Sequence, residues 1–401
     1  MHMPPNAPRR AGSAQGITLV TVAFLPIVAI VSMFPAVPAI IEHFAARDPA
    51  AMAKVPAMVS APGLAIAIIA LFVGPLVDRF GRRRLLLVST GLYGFVGAAP
   101  FWLDSIDQIY ASRLVLGVAE AAILTTLNTL IGDYWDQNGR RFWLTAQGFA
   151  GPFLGSAVIL ASGFLTHVQW NAIFLIYLVG IPAFLASALF LYEPDNDATV
   201  RQMLGMDEEA SGFPWASVAM FGAVTLFGGA LYYVFIINGG IVWQEIGVKD
   251  SAAIGKMTTI PSLFVMAGAG VFWLTGKLGP RWQLFSLFAL LGSGLVMMGL
   301  IHDWRGMVVA MSIQQTGAGM AVPCLIAWAQ SHLPYAHRGR GMGVWTACFF
   351  FGQFASPLLV SAVRTQVGTM QGAFVVAGIA GLVCALAVLL IVSGRRAQAA
   401  A

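Results

Sequence analysis

The sequence predicts an all-α membrane protein, with twelve transmembrane helices in two pseudo-symmetric six-helix bundles. Three observations carry that prediction. The 401-residue chain is 58% hydrophobic and only 10% charged, whereas a soluble domain carries about a quarter charged residues. Apolar stretches of crossing length, about 20 residues each, recur from one end to the other. The one long polar connection, residues 193–213, falls at the midpoint and contains Asp195, Asp197, Asp207, Glu208 and Glu209.

Charge, proline and glycine punctuate the chain into its elements. Helix 1 (17–41) follows the basic pair Arg9 and Arg10, and its apolar run is too long for the core of a signal peptide. Helices 2 (56–77) and 3 (85–103) flank a polar turn closed by Arg82, Arg83 and Arg84. Helix 4 (108–131) is followed by Asp133, and helix 5 (142–165) opens after Arg140 and Arg141. Helix 6 (170–192) runs into the polar connection. Helices 7 (214–240) and 8 (252–275) are divided at Lys249, and helix 9 (282–302) begins after Lys277 and Arg281. Helix 10 (306–330) follows Arg305, helix 11 (341–363) follows Arg338 and Arg340, and helix 12 (370–393) ends before Arg395 and Arg396. The expected bodies are thus residues 1–192, a linker 193–213, and residues 214–401.

Lys and Arg set the orientation of such helices, with the richer side facing the cytoplasm. With both termini inside, cytoplasmic segments collect about fifteen of the 22 basic residues, and exterior loops hold about six, Arg47 and Lys54 among them. The expected location is a bacterial inner membrane. The basic excess sits at helix ends, where it meets anionic headgroups, so nucleic acid is not the partner. Six dispersed histidines show no metal-ligand spacing. No phosphate-binding G-x-x-x-x-G-K-[ST] and no G-x-S-x-G nucleophile occurs, so neither ATP nor covalent catalysis is expected.

Two segments repeat at nearly one offset. Asp78-Arg-Phe-Gly-Arg-Arg returns in degraded form as Gly276-Lys-Leu-Gly-Pro-Arg281, and Tyr134–Thr145 has a counterpart in Tyr335–Thr346. Duplicated bundles with a site between them are a common transporter plan.

The turn Gly74-Pro-Leu-Val-Asp-Arg-Phe-Gly-Arg-Arg-Arg84 cannot lie in hydrocarbon. Gly74 and Gly81 permit unusual dihedrals, Asp78 is suited to bonding helix-terminal amides, and Arg79, Arg82 and Arg83 are suited to carboxylates or lipid phosphates. The spacing resembles the loop 2–3 signature of the major facilitator superfamily. That resemblance implies a latch in which Asp78 faces the glycine-rich start of helix 11 (Gly339, Gly341, Gly343). Asp133 is the expected partner of one arginine.

Arg113 and Glu120 are the charges that fall clearly inside a predicted span. An intramembrane charge costs at least about 2.5–3.5 kcal/mol, so each needs a partner or a water-filled cavity. Seven residues apart, they share one face about 10 Å apart along the axis. Burial favours a neutral carboxyl and a guanidinium favours the ionised one, which suits a proton-coupling pair. A structural ion pair is the competing reading. Arg113-Leu-Val-Leu-Gly-Val-Ala-Glu-Ala-Ala122 also resembles the family's helix 4 pattern.

In helix 5, Gly151, Pro152 and Gly155 resemble the antiporter motif G-P-x-x-G-G, with Ser156 replacing the last glycine. Gly151 and Gly155 are expected to form a face for close helix contact. Phe34-Pro-Ala-Val-Pro38 is similar to the twelve-helix drug:proton antiporter branch. Glu42, at the outer end of helix 1, is the only nearby acid there, which leaves proton exchange to Glu120. Cavity candidates are Asn128, Gln147, Tyr232, Tyr233, Asn238, Gln314, Gln315 and Gln353. Asn238-Gly-Gly240 is expected to let helix 7 unwind.

The sequence thus predicts a monomeric, proton-coupled exporter of small amphipathic or aromatic compounds, using the proton gradient, no metal and no cofactor. A symporter or facilitator for an organic anion or lysolipid, with Arg113 binding the acid group, stays open. So does a non-transporting receptor on the same scaffold.

Overall fold

The computed structural model of the chain describes residues 11–72, 80–135, 137–194, 213–333 and 337–398. Among them, twelve helices are long and apolar enough to cross a membrane. They are α1 Ser13–Val31, α2 Ala51–Ile69, α3 Arg82–Trp102, α4 Ile106–Ile131, α5 Ala150–Val168 and α6 Ala172–Phe190. After the connection come α7 Trp215–Glu245, α8 Ser251–Gly276, α9 Pro280–Leu300, α10 Trp304–Ser331, α11 Arg340–Val367 and α12 Met370–Leu390. An even number of crossings returns both ends of the bundle to one face, called here the terminal face. Most of the connection, 195–212, lies outside the described residues.

Helix 1 was expected as one run over 17–41, and the structure divides it. It winds as Ser13–Ala23 and Leu25–Val31, and resumes as Val37–Ala45 after a tightened turn. Proline has no amide to donate, and Pro26, Pro35 and Pro38 sit at these junctions. Through the turn the Met33 amide reaches Ile30, and the Ala36 amide reaches Met33. The carbonyls of Ala29 and Ser32 are satisfied by neighbouring helices instead. Tyr177 of α6 donates its hydroxyl to Ala29 at 2.8 Å, and Ser162 of α5 donates to Ser32. Tyr93 of α3 donates to Leu25 at 2.6 Å. Three hydroxyls from three helices therefore hold the broken helix in register.

Helix 7 does not unwind at Asn238-Gly-Gly240. α7 stays helical through it, and Asn238 donates to Val234 at 3.1 Å within the same helix. The glycine serves proximity instead: a Cβ on Gly240 would sit 2.5 Å from the Phe34 carbonyl of the α1 turn.

At the terminal face, α3 and α6 cap each other. Gly81 has φ +83°, the left-handed region that favours glycine, and turns the chain into α3. The Glu193 carboxylate then accepts from the amides of Arg82 (2.6 Å) and Arg83 (2.9 Å). In return, Arg83 donates to the carbonyls of Leu191 (2.7 Å) and Ala188 (2.8 Å) at the end of α6. The α3 amides are thus capped by Glu193. Gly279, the repeat counterpart of Gly81, also has positive φ (+99°) and opens α9. On the opposite face the second half uses the same device, with Glu245 accepting from Met370 (2.7 Å) and Gln371 (2.8 Å) at the start of α12.

An acceptor side chain at a helix start contributes about 1 kcal/mol. Glu193→Ala is therefore expected to lower the unfolding temperature in detergent measurably, with Glu193→Gln retaining part of the loss. Unchanged melting of both variants would show that water replaces the carboxylate at no cost.

Candidate functional site

A cavity of about 500 Å³ lies between the halves, a size suited to a drug-sized ligand. Its walls come from α1, α5, α7, α8 and α10, with α5 extended toward the terminal face by helix that starts at Gln137. The apolar surface comes chiefly from Ile27, Val31, Phe34, Ile159, Phe235 and Ile236, and polar groups from Gln147, Ser156, Tyr232, Thr258, Ser262 and Gln315. None of these lining side chains is charged.

Toward the face opposite the termini the cavity is shut. α5 and α8 cross closely, so that a Cβ on Gly163 would sit 2.6 Å from the Ser251 carbonyl and 3.1 Å from the Gly255 Cα. On either side of that crossing, Ser156 and Ser262 share a 2.6 Å hydrogen bond, and His167 meets Asp250 at 2.7 Å. Phe34 packs on Phe235 with ring centroids 4.8 Å apart. Toward the terminal face it is open: lining residues Leu144 and Val322 are 40% and 38% exposed, against 2% for Phe34.

The expected helix 5 residues all line this space. Gly151 and Gly155 were expected to admit a neighbouring helix, but a Cβ on Gly155 would meet nothing within 4 Å, and one on Gly151 only the tip of Phe24. That face looks into the cavity, and close helix contact falls further along, at Gly163. Of the other cavity candidates, Gln147, Tyr232 and Gln315 line it. Tyr233, Asn238, Gln314 and Gln353 are buried in helix packing outside it. Tyr233 packs against Phe349 of α11, and Gln314 lies against Gly294 of α9 with both amide atoms unpartnered. The side chain of Asn128 lies outside the described residues.

Arg113 and Glu120 are 1% and 3% exposed and are not among the residues that line the cavity. No ion pair joins them; the described ion pairs all lie outside the middle of the spans. Arg113 donates to the Gly97 carbonyl at 2.7 Å and lies over the rings of Tyr177 (4.7 Å) and Phe174 (5.2 Å), while its Nε and Nη1 have no acceptor. Glu120 has an unpartnered Oε1. Lys256 also falls inside a span, one turn into α8, with its ammonium 5.2 Å from the Phe164 ring.

Of the loop residues, Gly74, Asp78 and Arg79 lie outside the described residues. Arg82 pairs with Asp133 at 2.7 Å, while Arg83 and Gly81 belong to the α3–α6 cap. Sequence reasoning missed Glu193, Thr258, Ser262 and the His167–Asp250 contact. The only sequence signal for Glu193 was its place directly after an apolar span.

The profile of the Major Facilitator Superfamily matches residues 19–283 and, in a second overlapping match, 217–401. The chain belongs to this superfamily. It is a membrane transporter of small organic solutes, not an enzyme. The chain is 26% identical to the 3-(3-hydroxy-phenyl)propionate transporter of Escherichia coli K12, over 81% of each chain. It is 27% identical to the class G tetracycline resistance protein of Vibrio anguillarum, over 82% of this chain and 85% of that one. The inward-open xylose transporter XylE of E. coli shares the fold, with a TM-score of 0.73 and 14% identity over 94% of this chain and 96% of that one.

Two glycines of α5 separate gate from cavity. Gly163→Leu is expected to hold the far side open, lengthening spin-label distances between the outer ends of α5 and α8. Gly155→Leu should leave those distances and the melting temperature unchanged while excluding bulkier solutes. Equal behaviour of the two variants would contradict this division.

The carboxyl of Asp250 lies below the ordinary aspartate value of 3.8: burial pushes it up, but the Ala252 amide, His167 and the Ala253 amide pull it down further. A depressed carboxyl stabilises fully above the unfolded value and loses that contribution as pH falls through the folded one. The cap on α8 is therefore expected to lose its contribution to folding stability as pH falls below 3.8, read by thermal unfolding, and Asp250→Ala, which also removes the His167 contact, to weaken far-side closure at neutral pH, read by the same distances.

Proposed function

We propose that this transporter exports small aromatic or amphipathic compounds in exchange for protons, by alternating access. The observations that carry the reading are a cavity of about 500 Å³ with no charged lining and a buried carboxyl, Glu120, that forms no ion pair among the described residues and leaves Oε1 without a hydrogen bond. Aromatic and aliphatic walls with amides and hydroxyls suit a neutral or amphipathic ring system. Strong anions would find no cation there, since Arg113 is engaged with Gly97 and two aromatic rings.

In this reading the rocking bodies are residues 1–192 and 214–401, and the terminal face is the cytoplasmic side of the bacterial inner membrane. Solute enters the open cavity from the cytoplasm. Glu120, with a bare Oε1, takes up a proton when the cavity opens outward and releases it when the cavity faces inward. Arg113 biases that equilibrium through space, and its free N–H groups give water or the carboxylate a docking point during the transition. The pairing of Arg82 with Asp133 steadies the latch of the 74–84 loop. The α5 residues Gly151, Pro152 and Gly155 shape the cavity, as in the antiporter motif they resemble. The likeness to a tetracycline resistance protein supports export.

A second reading is favoured by the likeness to a transporter of an aromatic acid: proton-coupled uptake of aromatic carboxylates, with Gln147 and Gln315 receiving the acid group. The two differ in the direction of accumulation.

The test is accumulation of fluorescent amphipathic compounds and of radiolabelled aromatic acids in energised, pump-deficient cells, with and without an uncoupler. Lower accumulation of the amphiphiles with wild type is expected, abolished by the uncoupler and by Glu120→Gln at equal membrane expression. Arg113→Lys keeps a charge but loses the planar stack on Tyr177 and Phe174, and about a tenfold fall in rate is expected. Uncoupler-sensitive uptake of the acids would select the second reading; unaltered coupled flux in Glu120→Gln would remove Glu120 as the proton site.

A further inference from the structure

The three consecutive arginines that open α3 have different fates. Arg82 is spent on Asp133, and Arg83 on the carbonyls of Leu191 and Ala188. Their amides are taken by Glu193. Arg84 is exposed and has no partner among the described residues. It stands at the membrane boundary of the terminal face, one turn before the apolar body of the helix.

Above Arg84 lies a second cavity, about 480 Å³, on the outer surface of the first half. Leu87, Val88, Gly91 and Phe95 of α3 form one wall, and Phe184 and Leu185 of α6 the other. Counted from Arg84, the α3 positions are i+3, i+4, i+7 and i+11, so arginine and groove share one helix face. Val88, Phe95 and Leu185 are 67%, 70% and 53% exposed. No side chain among the described residues fills the space over Gly91, whose added Cβ would meet only Phe184 at 3.6 Å.

We propose that this groove is a site for an anionic glycerophospholipid, with an acyl chain between α3 and α6 and the phosphate on Arg84. Charge and geometry select this occupant together. A fully apolar trough at membrane depth takes a hydrocarbon chain, and a free guanidinium at its mouth takes a phosphate, to which arginine presents a planar fork of donors. An arginine stem lies along apolar surface while its head reaches the interface. On the cytoplasmic side, where the proposed orientation puts this end of α3, anionic lipids are concentrated. The bound lipid clamps α3 to α6 beside the Glu193 and Arg83 caps and so stabilises the first half.

Binding is read by native mass spectrometry and thermal unfolding of the purified full chain, with added phosphatidylglycerol or phosphatidylcholine of identical acyl chains. Transport is not the readout, so the result stands apart from the proposed export. Phosphatidylglycerol is expected to be retained and to raise the melting temperature more than phosphatidylcholine. Arg84→Gln should weaken phosphatidylglycerol binding about tenfold and erase the difference between the lipids. Val88→Trp, which fills the groove, should weaken retention of both; should that variant fail to fold, Gly91→Leu fills the groove from the next turn of the same wall. The proposal is overturned by equal binding of the two lipids to wild type, or by wild-type binding in either variant class. A dimer that seals the groove without lipid overturns it as well.

Discussion

In a medium that offers no hydrogen bonds, a backbone carbonyl without a donor costs several kcal/mol, and the proline-rich first helix leaves two of them. The carbonyls of Ala29 and Ser32 lose their helical partners where the turn tightens before Pro35. Hydroxyls from Tyr177 and Ser162 replace those partners. Much else depends on this repair. It fixes α1 against α5 and α6, puts Phe34 against Phe235 of the other half, and places Tyr177 where it also supports the Arg113 guanidinium. The broken helix, the far-side closure and the buried arginine are thus one connected arrangement.

The same demand shapes the helix ends. Where α3 starts and α6 stops, each supplies the group the other lacks: a carboxylate for amides, a guanidinium for carbonyls. This exchange consumes Glu193 and Arg83, as Asp133 consumes Arg82. Only the third arginine is left to face outward. A run of like charges in a sequence therefore conceals separate tasks, sorted by which way each position points on the helix.

Across the centre the chemistry is divided between two layers. Uncharged polar groups and aromatic rings line the cavity, while Arg113 and Glu120 are buried outside its lining, Arg113 against the rings of Tyr177 and Phe174. The solute space therefore carries no fixed charge among its lining side chains. The α5 helix joins the two functions. Its glycines near the terminal face widen the cavity, and the one further along allows the crossing that closes it.

The sequence by itself determined the class, the number of crossings and the two rare buried charges, because hydropathy and the cost of charge in hydrocarbon act locally on each segment. It also marked Asp133 as a partner for one of the loop arginines. Folding decided what depends on direction rather than composition. Gly151 and Gly155 follow the spacing of a helix contact yet face open space, and Asn238-Gly-Gly240 stays helical because α1 packs there. The bonds of Glu193 to the α3 amides, of Ser262 to Ser156 and of Asp250 to His167 join atoms that lie far apart in the chain. A hydrogen bond between distant residues depends on where two helix faces meet, and the one-dimensional pattern contains no record of that meeting.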